Sequence, residues 1–488
     1  MSQYAELLLP AIRWNAESGY EPLRDAIGHA LDLGVGGFIL FGGDTEHVRE
    51  LTADLRSRSR TPLLIGADLE RGAGQQFAGA TGLPPLAAIG SLQDAGAVVA
   101  AARVTAIEAR SLGINWIYAP VCDLDIEPEN PIVGTRSFGS DPAQVGVAVS
   151  QWIEACQDVG ALACAKHFPG HGRTTADSHA ELPVVTASER ELAYTDFVPF
   201  EAAVDGGVAS VMTAHVAFPA LDPSGLPATL SSQILDGRLR GEMAFAGLVV
   251  TDALIMEGVL EGGETSAVVR ALQAGCDLLL YPTDLDGCLK AIDAAVESGE
   301  LVRARVDQSL LRRRRWAEWA DAKRDDRVLG EEEIRWAERI AERPVRSVRG
   351  EAPVIKGEVE IVVVDDDVGG PYPPPSREPF LTSLRSQGVN VTTADADSAA
   401  ARPMRIVALF GDIKAWKGRP GYSSRSLDLV KAALAGAARG GADACVVQFS
   451  HPRIAAQIPG DGPVICAWGG EAVMQRAAAR VLTMPPNT

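Results

Sequence analysis

Three of the seven histidines fall in one stretch, Ala165-Lys166-His167-Phe168-Pro169-Gly170-His171-Gly172-Arg173-Thr174-Thr175-Ala176-Asp177-Ser178-His179. Lys166, Arg173 and Asp177 add charge to it. The apolar run at 162–165 ahead of it has the length of a buried strand, and Phe168-Pro169-Gly170 with Gly172 breaks regular structure. The expectation is a strand that opens into a polar loop dense in groups that titrate or donate hydrogen bonds. Such density marks a site; the structural alternative is a satisfied polar loop around one core histidine.

Three chemistries compete for these residues. A metal site would use His167, His171, His179 and Asp177, but Lys166 and Arg173 repel a dication, and no H-x-x-x-H with a glutamate falls on a predicted helix. Glycoside hydrolysis with paired carboxylates would use Asp123-Leu124-Asp125-Ile126-Glu127, a D-x-D-x-E similar to that of chitinase-type barrels; it runs directly into the turn Pro128-Glu129-Asn130-Pro131. The third chemistry takes one carboxylate nucleophile and a separate proton donor. Asp252 is a lone acid at the mouth of the apolar run 247–251 and could bond to an anomeric carbon. The Asp177-Ser178-His179 turn would supply the proton, because an aspartate beside an imidazole fixes its tautomer and raises its pKa. Lys166, Arg136 and Asp68 would bind hydroxyl or amide groups of a sugar by charged hydrogen bonds. The structural alternative for Asp252 is a helix N-cap.

These groups need a scaffold that brings distant residues to one face. Apolar runs recur at 7–13, 36–42, 63–70, 114–121, 162–170, 209–216, 247–254 and 277–282, mostly without alternation, as in strands buried on both faces. Helical stretches separate them at 22–33, 46–56, 92–112, 142–159, 189–205, 232–243 and 265–274, and another follows at 285–297. Eight strand–helix units in about 300 residues predict a (β/α)8 barrel; a doubly wound sheet with two sub-domains is the alternative. Five runs turn polar at their C-terminal ends, at Asp68-Leu69-Glu70, Asp123-Leu124-Asp125, Lys166-His167, Thr213-Ala214-His215 and Thr251-Asp252. A barrel builds its active site on that face. The barrel domain is expected over 1–325, with a charged helical linker over 326–350 inside a mostly helical stretch from 303 to 349. The strand–helix rhythm restarts in a smaller α/β sandwich over 351–488. Asp365-Asp366-Asp367, after the first strand of that domain, reads as an exposed acidic turn rather than a cation site.

The chain of 488 residues carries a net charge of −19, which repels nucleic acid and anionic membranes. The first residues carry no basic n-region, and the apolar run at 7–12 is short and interrupted by Pro10. With no apolar run of spanning length, the expected location is the cytoplasm. Seven scattered cysteines without C-x-x-C read as reduced structural thiols. The sequence carries no signal of oligomeric state.

A family resemblance gathers these pieces. Lys166-His167-Phe168-Pro169-Gly170-His171-Gly172, followed by Asp177-Ser178-His179 and Pro183, resembles the signature of glycoside hydrolase family 3, within it the β-N-acetylglucosaminidases. Residues 115–120, Asn130-Pro131 and Arg136-Ser137-Phe138-Gly139 resemble a second block of that family, and Val211-Met212-Thr213-Ala214-His215 and Pro227-Ala228-Thr229-Leu230-Ser231 two more. Residues 247–258 resemble the nucleophile block, with Asp252 in the nucleophile's place. The resemblance implies a retaining double displacement on a barrel. Asp252 would be the nucleophile and His179, paired with Asp177, the acid/base; Asp68, Arg136, Lys166 and His167 would hold a terminal N-acetylglucosamine. It calls for no metal and no organic cofactor, and its partner is a small glycoside, by analogy a cell-wall muropeptide. A phosphorylase or β-glucosidase on the same residues is the alternative within the family, and a non-catalytic sugar-binding protein is the alternative outside it. The chain departs from the family pattern on the leaving-group side, where Arg71, Ala73 and Gln76 replace a glycine and two arginines, and Ala253 follows the nucleophile.

Overall fold

The computed structural model describes residues 2–175, 182–259, 262–323, 327–370 and 374–484. The chain divides into two compact units, one of residues 1–81, 98–127 and 139–330, the other of 82–97, 128–138 and 331–488. Two stretches inside the expected first domain, 82–97 and 128–138, therefore cluster with the C-terminal residues.

The first unit is built on parallel strands with intervening helices. The strands are β1 (Leu8–Leu9), β2 (Ala11–Arg13), β3 (Gly37–Phe41), β4 (Leu64–Ala67), β5 (Trp116–Ile117), β6 (Leu162–Phe168), β7 (Ser210–Thr213), β8 (Leu248–Val250) and β9 (Leu279–Leu280). β2 to β8 form one seven-stranded parallel sheet in chain order, and β1 pairs with β9. The expected first strand is split because Pro10 has no N–H to give a ladder. Helices follow the predicted positions closely, at Arg24–Leu33, Thr45–Arg58, Pro142–Asp158, Glu264–Ala274 and Leu285–Ser298. The stretch expected as one helix over 189–205 is two, Glu189–Tyr194 and Phe197–Asp205. The sheet is curled. Lys166 of β6 reaches carboxylates just past β4, with β5 between them, and side chains can meet across an intervening strand only on a concave face.

The second unit holds a six-stranded sheet of β10 (Arg346–Arg349), β11 (Glu358–Asp365), β12 (Asn390–Thr393), β13 (Met404–Phe410), β14 (Asp443–Phe449) and β15 (Val464–Cys466). The order is β10-β15-β14-β13-β11-β12, with β10 antiparallel to β15 and the other pairs parallel. Alternate residues supply two separate cores. Val359, Ile361, Ile406, Ala408 and Phe410 pack with the helices at Glu378–Ser386 and Ala472–Thr483, and Val362, Val364, Val407 and Leu409 pack with the helix at Ser424–Gly440. This period of two is what a sheet covered on both faces requires. Residues 346–349, expected to be helical, form an edge strand instead. The acidic turn is not exposed: Asp366 and Asp367 are buried, with Lys417 Nζ 2.6 Å from Asp367 and Arg419 3.0 Å from Asp366, while Arg377 lies 2.8 Å from Asp365. Basic side chains from later in the chain neutralise it, and their arrival is a tertiary event that local charge patterning does not foretell.

Close strand approach in the first unit depends on glycine. A Cβ on Gly37 would lie 1.8 Å from the carbonyl oxygen of Leu64, a backbone atom that cannot move aside. Gly37→Ala should lower stability by about 3 kcal/mol through forced strand separation, measured as a shift in the urea midpoint; an unchanged midpoint would contradict the tight β3–β4 pairing.

Candidate active site

Two groups of the histidine-rich stretch lie within a strand rather than in the loop after it, because β6 runs on to Phe168. Lys166 is buried, its side chain 2% exposed, and its ammonium lies 2.7 Å from both Asp68 Oδ1 and Glu70 Oε1. A buried ammonium has to be paired, and two carboxylates pair this one. Glu70 is as buried as the lysine, whereas the Asp68 side chain is 29% exposed. Asp68 therefore presents the wet end of the cluster. The sequence reading gave Glu70 no role; the signal was the Asp-x-Glu spacing, which puts both acids on one face of an extended chain.

His167 is held by Asp123. The carboxylate accepts the His167 backbone N–H at 3.2 Å, the ring Nδ1–H at 2.7 Å and the His171 backbone N–H at 2.6 Å. Burial pushes the Asp123 carboxyl up, but the His167 charge and hydrogen bond, with the His171 contacts, outweigh it and hold the group below the usual carboxylate range. An acid of that kind stays ionised at neutral pH. Asp123 is thus the anchor of the histidine loop.

His171 braces the loop. It is buried, its ring stands edge-on to His167 at 5.9 Å, and Nδ1 is 2.7 Å from Thr174 Oγ1. The Thr174 hydroxyl donates to the His171 carbonyl, so its lone pair takes the ring N–H. Burial and the neighbouring His167 charge lower the His171 pKa to about 4, and the ring is neutral at pH 7. Arg173 points away from any ligand role: its Nε lies 2.7 Å from buried Asp196, and Nη2 3.0 Å from Thr195 Oγ1.

Asp252 stands two residues past β8, half-buried, its Oδ1 accepting the Ala253 N–H at 2.7 Å. The next helical turn begins at Glu257, so Asp252 is not an N-cap. Its negative charge acts on both His171 and Cys164, and the charges of Asp68 and Lys166 also act on Cys164. Asp68, Lys166 and Asp252 each stand at or just past the C-terminal end of a strand of one parallel sheet. His215, at the polar end of the β7 run, is buried. Its Nδ1 is 2.7 Å from Thr229 Oγ1 and its Nε2 3.2 Å from the carbonyl of Ala253, next to Asp252.

Three expected site residues are not placed with these. Arg136 belongs to the second unit, in the turn Gly134–Arg136, where Thr135 Oγ1 donates to Asp412 at 3.1 Å. Asp177 and His179 lie outside the described residues. Among the described residues no group of three or more His, Cys, Asp or Glu is placed to hold a metal ion, and no helix is long and apolar enough to cross a membrane.

A buried lysine paired by two acids, an anchored histidine and a strand-end aspartate can grip a polyhydroxyl ring and present a carboxylate to it. Comparison with known proteins identifies the family. Residues 7–315 match the family described as Glycosyl hydrolase family 3 N terminal domain. The chain is 36% identical over 290 residues to a "Beta-N-acetylglucosaminidase/beta-glucosidase" of Cellulomonas fimi, a match covering 57% of this chain and only 51% of that protein. It is 35% identical over 293 residues to a "Beta-hexosaminidase" of Nitrosomonas eutropha, covering 57% of this chain and 83% of that one. The solved glycoside hydrolase family 3 β-N-acetylglucosaminidase from Paenibacillus sp. str. FPU-7 is 30% identical with a TM-score of 0.86, covering 99% of this chain and 97% of that one. The chain belongs to glycosyl hydrolase family 3 and is a glycoside hydrolase.

The neutral, buried His171 has a consequence for stability. An unfolded histidine takes up a proton near pH 6.5, while folded His171 resists until about pH 4. Between those values the unfolded chain binds the extra proton, so stability falls as pH falls, by about 1.4 kcal/mol per unit from this group; above pH 6.5 the group adds no slope. Urea melts from pH 7 to 4.5 should show His171→Asn losing less stability on acidification than the parent. Equal slopes would mean that the imidazole is not held neutral.

Proposed function

We propose that the protein is a retaining exo-β-N-acetylglucosaminidase that releases N-acetylglucosamine from the non-reducing end of a β-glycoside. The observation that carries this reading is the buried Lys166 ammonium, clamped by Asp68 and Glu70, in a strand parallel to the one just past which Asp252 stands. Asp252 attacks the anomeric carbon, the bond to the leaving oxygen breaks, and that oxygen takes a proton from the His179 imidazolium, oriented by Asp177. The neutral imidazole then removes a proton from water, whose oxygen displaces Asp252 from the sugar. Two inversions return the β configuration. Asp68, Lys166, His167 and Arg136 bind the sugar by charged hydrogen bonds. His215 holds the Ala253 carbonyl and so fixes the backbone that carries the nucleophile.

We also read the strands of the first unit as a closed (β/α)8 barrel. The Val250–Leu278 bridge, the pairing of Leu8 with Leu279 and Leu9 with Leu280, and the Tyr281 amide donating to the Leu9 carbonyl support closure between β8 and β1. By family analogy the substrate is a cell-wall muropeptide, with N-acetylglucosamine cut from 1,6-anhydro-N-acetylmuramic acid. All seven cysteines are free and buried, which suits a reducing compartment such as the cytoplasm. β-Glucoside cleavage is the second reading, favoured by the double name of the Cellulomonas relative.

Release of nitrophenol from the aryl β-N-acetylglucosaminide, beside the matching β-glucoside, tests the reading. The expected outcome is a strong preference for the acetamido sugar, independent of added phosphate; a phosphate-dependent rate would make the enzyme a phosphorylase instead. Asp252→Ala should abolish turnover of every glycoside. His179→Ala should slow alkyl glycosides far more than activated aryl glycosides, because only the former need a proton. Equal losses on both would remove His179 from the acid's role.

A further inference from the structure

Two threonines lie behind His215, and the chemistry above uses neither. Thr213 ends β7, His215 is two residues past it, and Thr229 comes from the separate turn Ala228–Leu230. All three side chains belong to fully buried residues. A buried hydroxyl or imidazole has to be hydrogen-bonded, and these are bonded in a row. Thr213 Oγ1 is 2.8 Å from Thr229 Oγ1, and Thr229 Oγ1 is 2.7 Å from His215 Nδ1. At the far side of the ring, His215 Nε2 is 3.2 Å from the carbonyl oxygen of Ala253.

The partners dictate where the protons sit. A carbonyl oxygen can only accept, so Nε2 carries a proton and donates to Ala253. In a neutral ring Nδ1 is then a lone pair, and it needs a donor. The Thr229 hydroxyl supplies it. That hydroxyl has one proton, and the Ala214 carbonyl competes for it, but Nδ1 is the nearer acceptor, at 2.7 Å against 3.1 Å. Thr213 donates in turn to the Thr229 oxygen, which keeps the Thr229 proton directed at the ring.

The row ends on the residue that holds the proposed nucleophile. The Ala253 N–H donates to Asp252 Oδ1 at 2.7 Å. The Ala253 carbonyl takes His215 Nε2–H, and it also accepts the Met256 amide at 3.2 Å. Ala253 is therefore held at its carbonyl and holds the carboxylate through its amide. In the other neutral tautomer Nε2 would turn a lone pair toward that carbonyl oxygen, and attraction would become repulsion. The Thr229 hydroxyl, which acts through the ring, favours the attractive form.

We propose that Thr229 is a positioning residue for the nucleophile: its hydroxyl sets the His215 tautomer that holds Ala253, and so aims the Asp252 carboxylate at the anomeric carbon. The proposal rests on the reading of Asp252 as nucleophile given above and adds to it the group that fixes its aim. If the row only satisfied buried polar groups, its loss would lower stability and leave kcat intact.

The test uses full-length variants on the nitrophenyl β-N-acetylglucosaminide, each assayed well below its own urea midpoint. Thr229→Val keeps the shape and removes the hydroxyl. It should lower kcat and kcat/KM together, about tenfold, with KM within about twofold of the parent. Thr229→Ala, which also lacks the hydroxyl, should show the same split, and Thr229→Ser, which keeps it, should recover most of the loss. His215→Ala should lower kcat at least as far, and adding Thr229→Val to it should cost no further activity, because the hydroxyl acts through the ring. Parental kcat in Thr229→Val and Thr229→Ala, whatever their midpoints, overturns the proposal alone; so does a double variant whose loss is the product of the two single losses. A parent without turnover, or an Asp252→Ala variant that keeps it, overturns the nucleophile reading and the proposal with it.

Discussion

A buried positive charge organises the strand ends. Lys166 lies in a strand whose every residue is buried, and an ammonium there is tolerable only if opposite charge comes to it. Asp68 and Glu70 do so from the strand two places away. Removing one partner of such a pair typically costs about 3–5 kcal/mol, so the pairing ties the curl of the sheet to the position of Asp68. The same strand delivers His167 to Asp123, and through Asp123 the backbone of His171. One strand therefore ties the ends of two others to its own, and the polar loop after it starts from a fixed base.

The division of labour among the acids follows from their environments. Glu70 and Asp123 are sealed in and neutralise or anchor; Asp68 and Asp252 remain half-buried. Support is drawn from groups that cannot titrate near neutral pH. His171 is kept neutral by burial, and the thiol of Cys164, directly under Lys166, is pushed up to about 12 by burial.

Much of this was legible in the sequence, for identifiable reasons. Runs of buried apolar residues alternating with amphipathic helices have few alternative packings, and polar residues recurring at one end of those runs marked the face of the site. Strand limits were less legible. β5 shrank to Trp116–Ile117, and β6 extended through Lys166 and His167, because a lysine in a strand looks like a loop until its acids arrive. Glu70 was passed over because its partner, Lys166, is far away in sequence. Asp365-Asp366-Asp367 was misread as exposed because the bases that bury it follow by up to about fifty residues. Local pattern reports propensity and periodicity; charge pairing across strands is decided by the fold.

The central claim is that Asp252 forms a covalent bond to the sugar in a site gripped by Lys166 and Asp68. The most direct test is incubation with a 5-fluoro N-acetylglucosaminyl fluoride, whose glycosyl-enzyme is slow to hydrolyse, followed by mass spectrometry of the intact protein and of its peptides. The account predicts one added sugar per chain, mapped to the peptide containing Asp252. A sugar carried on another residue, or steady turnover of the reagent with no adduct at any time, would contradict it.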